Sequence, residues 1–439
     1  MMKKMIYLLF LALIITGIAI NCVYAGGDVF IKNGTILTIT KGVIKNGCIL
    51  IRNGKIVAVG KDLTAPEGVP VIDATGCYVM PGIIDSHSHM GIDRGINEAT
   101  SQVTPQVNIE DVIRHDDLSF YRALAGGCTA IQNLHGSANV IGGENGVLKL
   151  KFGKPAEELL IHDAMQGVKF ALGENPKRRG AESNKFPASR TGISHILREA
   201  FTQAKEYMKK WDEYEKAKRG EIKPPNKWVA KVWPIPPKKD LKMEVLADLL
   251  KGKKGIVCHC YEAQEIEDLF KVCDEFGVKV YSLEHCLEGY KVADIIAKHG
   301  TVASIFMDFW AYKVEAFDAI PYNAVLLTRR GVTVTVNSDS NERVRRLFQE
   351  AAKALKYGNM TENEALRMIT INPAKDLHID DRCGSIEVGK DGDIAIFDGH
   401  PLSVYSKVVK TLIEGDVYFD YDKAMTAEKV LAKYKKSTR

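Results

Sequence analysis

Between residues 82 and 339 the chain returns eight times to a short apolar run of strand length: 82–90, 129–135, 146–152, 167–172, 255–261, 280–286, 301–306 and 333–339. Helix-length stretches separate them, among them 263–276 and 342–357. Apolar strands that alternate with helices bury both faces of a parallel sheet beneath those helices. Eight such repeats over this length are what a (β/α)8 TIM barrel requires, and that α/β fold is the expectation for 81–383. The gap between the fourth and fifth runs is long. It holds a polar helical stretch, 193–218, and a Pro-rich turn, 223–237. We read 175–240 as an insertion over the barrel mouth and a candidate lid.

The two ends of the chain have a different texture. Residues 28–80 and 384–421 are short β-type runs broken by turns such as Asn33-Gly34 and Asn53-Gly54, a strong hairpin signal. Two β-rich ends around an α/β middle predict one small β-sandwich domain built from both termini.

Chemistry in such a barrel belongs at the C-terminal ends of the strands. The first run carries His87-Ser88-His89, and alternation along a strand puts both imidazoles on one face, where they can share a metal ion. The fifth and sixth runs end in His259 and His285, the eighth in Asp339, and the fourth carries Lys169. Any one of these has an ordinary explanation as a core residue or a helix cap. Five coincident strand ends do not. Cys258 and Cys260 flank His259, so they face away from it. His135 closes the second run and is a candidate for facing the substrate, as is Tyr261 after the fifth.

Location and partners follow from charge and cysteine usage. Lys3 and Lys4 precede an apolar run, 5–20, and Val23-Tyr24-Ala25 suits signal cleavage after Ala25. The expectation is export, with an uncleaved membrane anchor or lipid attachment at Cys22 as alternatives. Residues 422–439 form a Lys-rich tail. The formal net charge of +5 falls to +3 without the two leader lysines, and no basic stripe with interleaved aromatics argues for nucleic acid. The partner expected is a small-molecule substrate, with no membrane contact after cleavage and room for a homo-oligomer. The nine cysteines show no compact framework spacing, so few or no disulfides are expected.

The set Pro81-Gly82-Ile83-Ile84-Asp85-Ser86-His87-Ser88-His89, His259, His285 and Ser338-Asp339 resembles the metal-dependent amidohydrolase superfamily. Gly136-Ser137-Ala138-Asn139, Ile141-Gly142-Gly143, Leu172-Gly173-Glu174-Asn175-Pro176-Lys177, Asn372-Pro373-Ala374 and 384–393 are similar to its imidazolonepropionase-like and dipeptidase-like branch. The resemblance spans about 28–421. It implies a TIM-barrel hydrolase with two divalent ions, zinc first among them. His87 and His89 would hold one ion with Asp339, and His259 and His285 the second. Lys169, carboxylated by CO2, would bridge both. A metal-activated hydroxide would hydrolyse the C–N bond of an N-acyl amino acid, a dipeptide or a cyclic amide, with Asp339 as proton shuttle. Relatives often have an Arg or a second His just after the fifth-strand ligand; here Tyr261-Glu262 stand instead. His259-Cys260-Tyr261-Glu262 leaves open a mononuclear deaminase or imidazolonepropionase-like enzyme. Lys169 paired with Glu174 is the alternative to the bridge, with Glu144 as the next bridging candidate.

Overall fold

The computed structural model describes residues 27–92 and 95–426. The leader of 1–25 and the tail beyond 426 lie outside the described residues.

Both ends of the chain enter one sheet. β1 (Val29–Leu37), β2 (Val43–Arg52) and β3 (Lys55–Gly60) form an antiparallel meander. The β2–β3 loop is Asn53-Gly54, with φ of 49° and 76°. Two successive positive φ angles define the type I′ turn, whose twist matches that of the flanking strands. β4 (Val71–Asp73) lies beside β1, and β5 (Tyr78–Pro81) runs parallel to β1. From the far end of the sequence, the strands Ile394–Phe397, Val408–Ile413 and Asp416–Asp420 complete the sheet, the first of them antiparallel to β5. The expected union of the termini is present, with strands from both ends hydrogen-bonded into one eight-stranded sheet. Ile31, Ile36, Ile49, Ile51, Val79, Ile394 and Ile396 share a core on it, each burial stabilising by roughly 1.5–3 kcal/mol.

β5 passes through Gly82 directly into β6 (Ile83–Ser88), the strand that carries His87. A Cβ at Gly82 would sit 2.1 Å from the Thr129 hydroxyl, so glycine lets the two strands cross. β6 pairs in parallel with β7 (Cys128–Asn133). β8 (Ile141–Glu144) and β9 (Gly146–Lys149) follow. β10 (Gly167–Ala171), β11 (Gly255–Cys260), β12 (Val280–His285), β13 (Val302–Ile305) and β14 (Val334–Val336) then form a parallel run. All eight apolar runs are strands.

Two expectations change. The third run is antiparallel: β9 pairs with β7 and β8 pairs with β10, both antiparallel. Asn145 alone separates β8 from β9, so the chain passes from the sheet of β10 to the sheet of β7 within one residue. The strands therefore lie in a six-stranded and a three-stranded sheet, not in one continuous parallel ring. At the other seam, the Asp339 N–H donates to the His87 carbonyl at 3.2 Å.

The second change concerns the insertion. Helix Arg190–Lys218 buries Ile193, Ile196, Leu197, Ala200, Phe201 and Ala204, a stripe at helical spacing. Phe201 stacks on Phe170 of β10 and packs against Phe276 at the end of helix Ala263–Phe276. The helix is thus a covering layer on the face of β10 that carries Phe170, not a lid. Its N-terminal Arg190 reaches the functional end, as described below. All eight described cysteines are free, and seven are buried.

Candidate metal centre

The strand ends bring the expected ligand types together. The rings of His87 and His89 are 5.1 Å apart, those of His87 and His285 4.8 Å, and those of His285 and His259 4.8 Å. Asp339 lies 3.2 Å from His89 Nε2, 3.7 Å from His87 Nε2 and 4.0 Å from His285 Nε2. Lys169 Nζ is 3.4 Å from His87 Nε2. Ligand atoms of His87, His285 and Asp339 all fall within 4.8 Å of one another. Lys169 is fully buried, and among the described residues no carboxylate reaches it; Glu174 instead pairs with Arg178. An outward-facing or Glu174-paired Lys169 is therefore excluded.

Neighbouring groups aim these rings. His87 Nδ1 bonds Glu284 Oε2 at 2.8 Å, and Ser282 Oγ donates to the other oxygen of Glu284 at 2.8 Å. His89 Nδ1 bonds the Leu134 carbonyl at 2.8 Å. A carbonyl only accepts, so His89 Nδ1 carries the proton and Nε2 offers its lone pair to the centre. Asp85 accepts from the backbone N–H of His87 at 3.3 Å and of Ser338 at 3.0 Å, tying the end of β6 to the segment after β14. Burial pushes the Asp85 carboxyl up to about 7. His285 and Asp339 adopt φ of 70° and 43°. Left-handed backbone costs a non-glycine residue roughly 1–3 kcal/mol, and such strain gathers at functional sites.

The electrostatics suit a cation. Burial, reinforced by Lys169, holds the His87 and His259 imidazoles below their usual range, and burial with His259 and His87 nearby does the same for His285. These rings are neutral, as metal ligands must be. Burial likewise lowers Lys169, although Glu284 and Asp339 oppose it. Burial alone would raise the Asp339 carboxyl, but the surrounding histidines hold it well below the usual range. Both nitrogens of His259 and Nδ1 of His285 are buried without a hydrogen-bond partner. Unmet buried polar atoms cost about 1–3 kcal/mol each. A divalent ion would take one nitrogen of each ring, and imidazole nitrogen with carboxylate oxygen is a donor set that zinc and its neighbours take. The residues fit the group.

Other expected residues have different roles. His135 is buried with both nitrogens engaged: Nδ1 bonds the Gly136 carbonyl at 2.8 Å and Nε2 accepts from the Glu98 N–H at 2.8 Å. It braces a loop and has no nitrogen left for a substrate. Tyr261 is buried against His259 and His285 and accepts a 2.6 Å hydrogen bond from the Tyr312 hydroxyl. Glu144 is taken by Lys254. Glu262 Oε1 is held by Arg190 at 2.7 Å, and Arg190 also binds Glu265 and Glu315. That acidic trio therefore already has its cation, as does the Cys383–Asp391–Asp393 cluster, which surrounds Lys149.

Sequence reasoning missed Asp85 and Glu284 as supports for the ligands. Both left a signal: an acidic residue inside an otherwise apolar strand, one or two positions before a ligand histidine.

Residues 78–420 match the amidohydrolase family. The amidohydrolase tasK of Hapsidospora irregularis is 30% identical over 399 residues, covering 85% of this chain and 40% of its own. A D-hydantoinase of Geobacillus stearothermophilus is 51% identical over 65 residues, covering 15% of this chain and 13% of its own. The chain thus spans well under half the length of these curated relatives. Among solved structures, an amidohydrolase from Thermotoga maritima MSB8 is 33% identical with a TM-score of 0.80, covering 89% of this chain and all of that one. A Xaa-Pro dipeptidase with bound methionine, 17% identical with a TM-score of 0.55 over 89% of this chain and all of its own, shares the fold. The chain belongs to the amidohydrolase family.

Proposed function

We propose that this protein is a metal-dependent hydrolase of an amide-type C–N bond in a small molecule, working from a barrel formed by the six-stranded and three-stranded sheets. The observation that carries the reading is the convergence of four imidazoles, the Asp339 carboxylate and the buried Lys169, which meets no carboxylate among the described residues, at one point. His87, His89 and Asp339 would hold one divalent ion, and His259 and His285 a second. Among the described residues Lys169 is the only buried amine at the centre, and its lowered basicity favours the neutral form that CO2 carboxylates. Its carbamate would offer two oxygen ligands, where a free ammonium accepts nothing. Bound there, divalent ions would polarise a carbonyl and lower the pKa of water.

The chain's own residues do the rest. The Asp339 carboxylate, held below its usual range and 3.2 Å from His89 Nε2, can take a proton from water and hand it to the leaving nitrogen. Glu284 and the Leu134 carbonyl hold His87 and His89 in register, so Asp339 does not have to move to meet the reaction. Tyr261 and Phe306 flank His285 with apolar surface that excludes bulk water on that side. The mononuclear alternative needs Glu262 free at the centre, but Arg190 holds it.

A hydrolysis screen of metal-loaded protein tests the proposal, using N-acyl amino acids, dipeptides, cyclic ureides and aminated heterocycles, with metal counted per chain. Amine release from an amide with near two ions per chain supports it; ammonia release from a heterocycle with one ion overturns it. Export remains part of the same reading: N-terminal sequencing of protein from its native host should find a chain starting near Gly26.

A further inference from the structure

We propose that Arg343 selects substrates that carry a free carboxylate on the amine half of the scissile bond. This rests on the hydrolase reading above and narrows it.

Arg343 lies four residues beyond Asp339. Its Nη2 donates to the Ser338 carbonyl at 2.7 Å, which fixes the guanidinium one residue from the proton shuttle. The guanidinium carbon sits 3.7 Å from the Phe309 ring centroid and 5.2 Å from that of Phe306. Phe306 in turn stacks on His285 at 4.6 Å and 25°. An aromatic shelf thus leads from the metal centre to a cation.

The cation is free. Among the described residues no carboxylate comes within 4.0 Å of Arg343, whereas Arg190 touches three and Arg122 and Arg345 both pair with Glu342. Burial works against its charge while Asp339 sustains it. Lys313, the other cation near Tyr261, is already neutralised: Glu315 lies 2.8 Å away and Asn175 3.2 Å. A half-buried guanidinium with one of its five donors spent on a carbonyl calls for a planar anion, and a carboxylate matches its fork in a bidentate way. Position decides which half of the substrate bears that anion. Asp339 serves the leaving nitrogen, and in an N-acyl amino acid or dipeptide the carboxylate stands two bonds from that nitrogen.

The test compares N-acetyl-L-alanine, N-acetyl-L-leucine and N-acetyl-L-arginine with their carboxamides, on metal-loaded wild type, Arg343→Met and Arg343→Lys. The acid-to-carboxamide ratio of kcat/KM should be about 30–100 in the wild type, near unity in Arg343→Met and intermediate in Arg343→Lys. A second arm reads binding without turnover: calorimetric titration of the same acids into Asp339→Asn and into Asp339→Asn/Arg343→Met, where the dissociation constant should rise by a similar factor. Melting curves verify that each variant folds, and Arg343→Lys decides the matter if Arg343→Met does not. A wild-type ratio near one, or a ratio that survives in Arg343→Met, overturns the assignment. If no panel compound is hydrolysed, the hydrolase reading fails on these substrates; the titration still judges Arg343, and equal affinities in the two proteins reject it.

Discussion

Glu284 offers the sharpest check on how the ligand shell is held. Its carboxylate accepts from His87 Nδ1 and from Ser282 Oγ, both at 2.8 Å, with no access to solvent. Glu284→Gln keeps the shape: the amide oxygen can accept from Nδ1–H, and the amide NH2 can donate to Ser282 Oγ. What is lost is the charge. A hydrogen bond to a charged group is worth about 1.5–3 kcal/mol and a neutral one about 1, so the difference is about 0.5–2 kcal/mol. That difference falls on the orientation and basicity of His87, and partners of this kind typically carry 10–100-fold in metal affinity. Zinc affinity should therefore drop by roughly 10–30-fold. Global stability should change by less than about 1 kcal/mol, because the amide also removes the cost of burying a charge. Glu284→Ala should do worse on both counts. It orphans the Nδ1–H and the Ser282 hydroxyl and opens a cavity, at about 2–4 kcal/mol. The assay is competition for Zn²⁺ between chelator-stripped protein and a fluorescent chelator, with calorimetric melting alongside. Glu284→Gln that binds zinc within two-fold of wild type would refute the argument that this carboxylate tunes His87.

Other outcomes are expected as follows. Asp339→Asn should nearly abolish turnover while metal analysis still finds most of the ion content, since the other ligands remain; activity within a few-fold of wild type would remove Asp339 from proton transfer. Lys169→Ala should lose metal and activity together, with partial recovery on adding a short carboxylic acid, and a high-resolution density map of loaded wild type should show the carbamate. An unmodified lysine in a fully loaded site would end that reading. Lys149 is buried among Asp391, Asp393 and Glu414 where the end-built sheet meets β9, so Lys149→Met should cost about 3–5 kcal/mol in denaturant unfolding by stranding those carboxylates. Burial alone would raise the Asp391 carboxyl, but Lys149, Lys55 and Arg382 hold it well below its unfolded value of 3.8. Below that pH the unfolded chain binds more protons than the native one, so this contribution is complete above about pH 4 and lost on further acidification. Wild-type stability should fall along that acid limb, and Lys149→Met should flatten it.

Much of the site was legible because strand chemistry is local. Alternation along 83–88 is enough to put His87 and His89 on one face, and a ligand type at the end of an apolar run needs no tertiary information to be noticed. Eight strands followed from the same apolar runs, and the pairing of the two chain ends from their shared turn-rich texture. Strand direction was not local: β9 runs antiparallel to β7, a matter of which neighbours are hydrogen-bonded. The helix from Arg190 to Lys218 reads as a polar insertion, yet its Phe201 finds Phe170, a partner that only packing could reveal. The roles of single polar residues were decided the same way. His135 and Glu262 look available in sequence, but Gly136, Glu98 and Arg190 consume their hydrogen-bonding capacity. Arg343 looks like one more surface charge, and only the fold shows that no carboxylate among the described residues pairs with it. The chain's residues determine which groups can bind metal or move protons; the tertiary structure determines which of those groups are already satisfied, because satisfaction is a property of neighbours that sequence order does not supply.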